Sequence, residues 1–241
     1  MKAVFVKTSN WERFTDGIQA VDNRGAAEAC MLLVNGEPGL GKTSIITRWA
    51  LENNAIFVTA QSGWTVSEML RAMANSKPGI PAHHTLRDTR ASVIGHVMRN
   101  QVPIVVDEAD HVVACSATIE ALRGISDMCQ TPVVMVGMER IQQKLARYPQ
   151  VASRIATVVK FEPVTETDVM LTCRDMAEVE IGRCLVSELH RQCAGRMRLV
   201  LNGIARIEQF AKVNGLKSIS LQDMRGAELA HDWQSARRGA K

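Results

Sequence analysis

Five short apolar runs recur through the first two thirds of the chain: "CMLLVNG", "AIFVTA", "VPIVVDEAD", "TPVVMVG" and "ATVVKFEP". Most are continuous rather than alternating, as expected of strands covered on both faces of a parallel sheet. The stretches between them, "TVSEMLRAMA", "LRDTRASVIGHVMRN" and "SATIEALRGISDMC", carry apolar residues at helical spacing. Strands alternating with helices predict a layered α/β domain over residues 1–163. Beyond Pro163 the pattern is helical only: "TETDVMLTCRDMAEVE", "RCLVSELHRQCAG", "MRLVLNGIARIEQFAKVNG" and "SLQDMRGAELAHDW". Thr165 or Thr167 is placed to cap the first of these helices and Ser220 the last, while Gly195 and Gly215 are plausible stops. Residues 164–230 are therefore expected to form a small all-helical domain, and 231–241 a basic tail.

The segment "GEPGLGKTS" follows the first apolar run directly and opens the helical stretch "TSIITRWALE". Its spacing, Gly36-x-x-x-x-Gly41-Lys42-Thr43, is that of a phosphate cradle. Glycines let successive N–H groups face one point, a helix start adds positive potential, and a lysine and a hydroxyl complete the donor set. Gly36, Glu37, Pro38, Gly39, Leu40, Gly41, Lys42, Thr43 and Ser44 are the candidate nucleotide-binding residues. The run "PIVVDEAD" ends on adjacent carboxylates. Asp107 is placed for the Mg²⁺ shell together with Thr43, and Glu108 for polarising an attacking water. Asp110 is assigned to the turn that follows.

Composition narrows the classes. The 241 residues are 46% hydrophobic but only 4% aromatic, so stacking surfaces for bases are few and nucleic-acid contact would lean on phosphates. A net charge of +4 permits a polyanionic partner without demanding one. The six cysteines include no C-x-x-C pair, a disulfide framework is not expected in so large a chain without a secretory signal, and Cys184, His190 and Cys193 lack the usual spacing of zinc ligands. No apolar run approaches the roughly 20 residues of a membrane span, and the N-terminus lacks a signal-peptide core. A cytoplasmic protein is expected, in the host cytoplasm if phage-encoded.

Together, the loop, the strand ending in Asp-Glu and the C-terminal helices resemble an AAA+ ATPase over nearly the whole chain. The stretches "FVTAQSGWTVSEML" and "SRIATVVKFEPVTETDV" look like the DNA-transposition ATPases of the phage Mu B, TnsC and TniB type. The resemblance implies a P-loop AAA+ parallel five-stranded sheet flanked by helices, with a small C-terminal all-helical lid. It implies ATP and Mg²⁺ as cofactors and slow hydrolysis stimulated by DNA or a partner. The implied partners are double-stranded DNA, bound largely without sequence preference, a transposase, and further copies of the chain in a ring or helical filament; a membrane is not among them. By position, Arg154 matches the arginine finger that reaches a neighbour's γ-phosphate, with Arg147 in reserve. Arg198 resembles the sensor 2 arginine, with Arg196 close by. One position departs from the pattern: Met138 stands where a polar sensor 1 residue is usual, with Glu139 as a substitute, which favours a slow switch over a motor. The N-terminal DNA-binding domain of Mu B is not expected in a chain of this length, so DNA contact is expected on core loops such as "AHHTLRDTRAS" or on the tail "RRGAK". His83 and His84 read as loop residues and Trp64 as packing. The same motifs suit a helicase loader or a secretion-type AAA+ ATPase, and less well a small-molecule P-loop kinase or a scaffold without useful hydrolysis.

Overall fold

Burial turns the five apolar runs into strands. The computed structural model describes residues 1–224 and 226–230. In it β1 (Met31–Asn35), β2 (Ile56–Thr59), β3 (Ile104–Asp107), β4 (Val133–Val136) and β5 (Ile155–Lys160) form one parallel sheet in the order β2-β3-β4-β1-β5. Every residue of β1, β3 and β4 is buried, which explains their unbroken hydrophobicity. The edge strands β2 and β5 expose part of their length.

The intervening chain folds into α1 (Ser9–Asp22), α2 (Lys42–Glu52), α3 (Val66–Asn75), α4 (Leu86–Asn100), α5 (Asp110–Val113), α6 (Ser116–Cys129), α7 (Ile141–Leu145) and α8 (Pro149–Ala152). Helix α3 starts at a capping box, in which Thr65 accepts from Glu68 N and the Glu68 carboxylate accepts from Thr65 N. Trp64, just before it, is buried in the core. The sequence pattern did not announce α1. Its Gly17 explains how it fits: a Cβ there would run into Val159 of β5 and crowd Leu32 of β1.

Two compact units result. One consists of Arg13–Glu37 and Lys42–Phe161, with a core that includes Met31, Ile56, Ile104, Leu122 and Met135. The other gathers Met1–Glu12, Pro38–Gly41 and the chain from Glu162 onward. It contains α9 (Glu166–Met176), α10 (Arg183–Cys193) and α11 (Met197–Val213), packed around Val169, Leu185, Leu189, Ile204 and Ile207. Residues 1–12 therefore group with the C-terminal helices, not with the α/β core to which the sequence pattern assigned them. The reason is local. Ser9 donates from N and Oγ to Asp168 at 2.8 and 2.7 Å, and the Asn10 side chain exchanges two hydrogen bonds with the Glu162 backbone.

The C-terminal unit departs from the all-helical expectation in two places. A two-stranded parallel pair joins β6 (Glu180–Ile181) to β7 (Ser218–Ile219). Residues 221–224 and 226–230, where a helix was expected, are turns and irregular chain. Ser220 does make the cap-like contact, donating from N and Oγ to Asp223 Oδ2, but Gly226 takes φ +79°, which is not helical. Leu229 is buried there, and Gln192 Oε1 accepts from its N–H. The tail 231–241 lies outside the described residues. Gly195, by contrast, does sit beyond the end of α10, with φ +69°.

The six cysteines are free thiols. Cys193 is buried and its thiol is pushed up to about 12 by desolvation, whereas His190 places Nε2 3.0 Å from Val164 O. Among the described residues no helix is long and apolar enough to cross a membrane.

Asp168 ties this unit together. It completes the capping box with Thr165 and receives Ser9 while itself only 4% exposed. Burial alone would raise its pKa. The hydrogen bonds from Ser9 and Thr165 outweigh burial and hold the carboxyl below its ordinary value. Its stabilisation is therefore present above the ordinary aspartate pKa and is lost as pH falls through the lower folded value. Asp168→Ala is expected to cost about 2 kcal/mol at pH 7. Denaturant melts should show the gap between variant and wild type closing in acid.

Candidate nucleotide site

The parallel sheet delivers the candidate loop to the carboxyl end of β1, between β4 and β5. Gly39 and Gly41 take φ +85° and +89°, a region that glycine enters without steric penalty. Leu40 between them is buried and anchors the turn. Lys42 opens α2 and curls back, its Nζ donating to the carbonyls of Gly36 and Glu37 at 2.7 Å each. Pro38–Gly41 count with the C-terminal unit, where Arg198 N donates to Gly39 O at 3.0 Å. A Cβ on Gly41 would lie 3.8 Å from the Met197 side chain.

The strand ends are laced together around this point. Gly137 N donates to Val34 O, Ala109 N to Val136 O and Phe161 N to Asn35 O. The lacing brings the end of β3 close enough for Thr43 Oγ1 to donate to Asp107 Oδ2 at 2.9 Å. Asp107 is buried, and its other oxygen accepts from Glu108 N at 2.9 Å. To make that bond Glu108 adopts φ +53°, a left-handed conformation costly for a residue with a Cβ. Its side chain is exposed. A hydroxyl and a carboxylate are hard oxygen donors that suit Mg²⁺, an ion that needs few protein ligands beside phosphate oxygens and water.

Residues 26–145 match the family described as AAA domain. The fold resembles Cdc6p from Pyrobaculum aerophilum (TM-score 0.64, 18% identity), with 93% of this chain and 68% of that one covered. It also resembles the Aeropyrum pernix ORC1 protein, solved in complex with DNA (TM-score 0.61, 17% identity), covering 99% of this chain and 66% of that one. A third likeness is to the Thermotoga maritima RuvB Holliday junction branch migration motor (TM-score 0.60, 18% identity), covering 91% of this chain and 69% of that one. The fold is AAA+. At such identities the structural likeness speaks for fold alone. A "Potential ATP-binding protein" from Staphylococcus aureus is 27% identical over 132 residues, 49% of this chain and 46% of the relative. The chain thus spans less than half the length of that relative.

The α/β core gathers Lys42, Thr43, Asp107 and Glu108 at the carboxyl ends of the strands. It puts Arg154 at their amino ends. Arg154 immediately precedes β5, and its carbonyl accepts from Met31 N at the start of β1. The five residues of β1, at about 3.3 Å each, separate the two ends by roughly 15 Å. Its guanidinium is held by Asp127, with Nε donating to Oδ1 at 2.6 Å, and this bond raises the arginine pKa further. Arg147 is exposed and makes no side-chain hydrogen bond or ion pair among the described residues. The Arg198 guanidinium is likewise exposed, and the backbone of Arg198 makes the contact with Gly39.

Sequence reasoning missed three participants. Asn35, the last residue of β1, keeps Oδ1 buried without a hydrogen-bond partner among the described residues. Met197 packs near Gly41, a contact that no spacing rule announces. Asp110 accepts from Met138 N and from Lys144 Nζ, both at 2.7 Å, so it braces the segment where the polar sensor was expected. Its place three residues after Asp107 was the available signal. Glu139 is exposed and pairs with Lys160 at 3.5 Å.

Strain at Glu108 is testable through stability. Glu108→Gly should raise it by about 1 kcal/mol and Glu108→Val lower it by at least as much, because only glycine enters this region freely. Thermal melts of the two variants should move in opposite directions.

Proposed function

We propose that the chain is a slow ATP-hydrolysing switch that assembles with ATP on duplex DNA. The observation that carries this reading is the 2.9 Å bond between Thr43 Oγ1 and Asp107 Oδ2 beside a glycine loop holding Lys42. In this reading the backbone N–H groups of Gly39–Ser44 and the Lys42 ammonium receive the β- and γ-phosphates. Thr43 and Asp107 would hold Mg²⁺, which would neutralise phosphate charge. Glu108 orients the attacking water and takes up its proton. Arg198 links the C-terminal helices to the nucleotide. Arg154, roughly 15 Å from its own loop by strand length, serves the loop of a neighbouring copy. A thioether at Met138 donates nothing to phosphate, which favours slow turnover.

Duplex DNA is the proposed partner on three grounds. The chain carries +4 net charge, its sequence has the basic stretches "AHHTLRDTRAS" and "RRGAK", and its fold is like that of ORC1, which has been solved in complex with DNA. Few aromatic residues point to phosphate contact without sequence preference. The narrower role, directing a partner transposase, rests on the resemblance of "FVTAQSGWTVSEML" and "SRIATVVKFEPVTETDV" to transposition ATPases.

Lys42→Ala should weaken ATP binding by about 100-fold or more and abolish ATP-dependent assembly on DNA, since the phosphates lose their cation. Glu108→Gln should bind ATP normally and accumulate as stable assemblies, seen by electron microscopy with ATP and not with ADP. Undiminished nucleotide affinity in Lys42→Ala would refute the loop assignment.

DNA affinity should fall linearly in log–log form with salt and vary little between unrelated duplexes. A duplex that changes neither turnover nor assembly would remove DNA from the proposal.

A further inference from the structure

The guanidinium of Arg154 is held in a particular way. Its Nε donates to Asp127 Oδ1 at 2.6 Å, and Nη1 donates to Ser153 Oγ at 3.2 Å. Nη2 makes no hydrogen bond among the described residues, and the side chain is 27% exposed. Asp127 is shared: its Oδ2 accepts from Arg123 Nη1 at 2.7 Å. Arg123 Nε in turn donates to Glu120 Oε2, and Glu120 Oε1 accepts from Gln150 Nε2. Two carboxylates thus meet two guanidiniums, and the cluster carries no net charge. It joins α6 to the turn around α8 from which Arg154 emerges.

A carboxylate that neutralised an arginine for structure alone would do best with a two-pronged pairing across the guanidinium. Here Asp127 takes the inner Nε and spends its second oxygen on Arg123, so the outer edge of Arg154 stays open to an anion. The backbone is fixed as well, because the Arg154 carbonyl is bonded to Met31 N at 2.9 Å. The long side chain is therefore braced at its root and at Nε, which removes much of the entropy that a free arginine would lose on meeting a phosphate.

We infer that Asp127 is the positioning residue for Arg154, bracing its guanidinium so that the Nη2 edge meets the terminal phosphate bound by a second copy of the chain. This rests on the reading of Arg154 as the residue that completes a neighbour's site. Asp127 touches no phosphate itself; it sets where the charge of Arg154 lies when the copies meet. An arginine that loses its brace still carries its charge but is misplaced, and small misplacements of a charge-stabilising group cost about 10- to 100-fold in rate.

The experiment measures DNA-stimulated ATPase activity for Arg154→Ala, Asp127→Ala, Asp127→Asn, Arg123→Ala and the double variant Asp127→Ala/Arg154→Ala. Asp127→Ala is expected to lower kcat about 10-fold or more while leaving the KM for ATP within about twofold, because its own loop is intact. Asp127→Asn keeps an acceptor for Nε and should fall between it and wild type, which also serves if the alanine variant does not fold. The double variant should be no slower than Arg154→Ala, since the brace acts only through the arginine. Arg123→Ala opens the same cluster but leaves the Asp127–Arg154 bond, and should stay within about twofold of wild type. Mixing Asp127→Ala with Lys42→Ala should restore part of the activity, because one supplies a competent loop and the other a braced arginine. Wild-type turnover in Arg154→Ala would overturn the reading of that arginine. Slow Arg154→Ala with unimpaired Asp127→Ala and Asp127→Asn would overturn the brace alone. Faster turnover in Asp127→Ala would make Asp127 a restraint, and equal losses in Asp127→Ala and Arg123→Ala would make it a structural residue; either result overturns the inference.

Discussion

Parallel pairing of β1 with β4 and β5 is the constraint on which the rest depends. Parallel strands put all their carboxyl ends on one side, so the loop after β1, the carboxylates after β3 and the segment after β4 converge without any side chain directing them. A one-residue slip of β1 would change which backbone groups at its end meet Gly137 and Phe161. The 2.9 Å bond from Thr43 to Asp107 is then a consequence of sheet geometry. Only the glycines and Lys42 are chemistry added on top.

What the sequence disclosed follows from the same point. Continuous apolar runs are readable because burial on both faces leaves no polar alternation, and the sheet contains those five strands. The loop was readable because backbone that must turn with positive φ calls for glycine at Gly39 and Gly41. Helix α1 was not readable. Its residues are divided between two compact units, and its close fit to β5 depends on the absence of a side chain at Gly17. The segment after Ser220 misled for a related reason. A capping contact to Asp223 forms there, but capping licenses a first turn and does not sustain a helix.

Site residues divide in the same manner. Asp107 and Glu108 sit at the end of β3, and Lys42 and Thr43 open the helix that follows the loop after β1, so their neighbourhood could be inferred from the element pattern. Arg154 and Asp127 are 27 positions apart, and nothing in the spacing of either indicates that they meet. Asp110 and Met138 are a further case: a 2.7 Å bond between a carboxylate and a backbone N–H leaves no trace in residue type at the donating end. Contacts of long sequence separation made through the backbone are the part of a site that sequence patterns express least.

The distance between Arg154 and its own loop has a kinetic consequence. On the proposed reading each copy carries a complete binding pocket and half of the catalytic charge, at opposite ends of strands about 15 Å long. A lone copy is then loaded but silent, and hydrolysis per copy climbs with the number of neighbours. The order of the reaction in protein exceeds one at low concentration and returns to one when every junction is filled. DNA enters this scheme as a device for raising local concentration, so a dose threshold arises from geometry without a separate sensor.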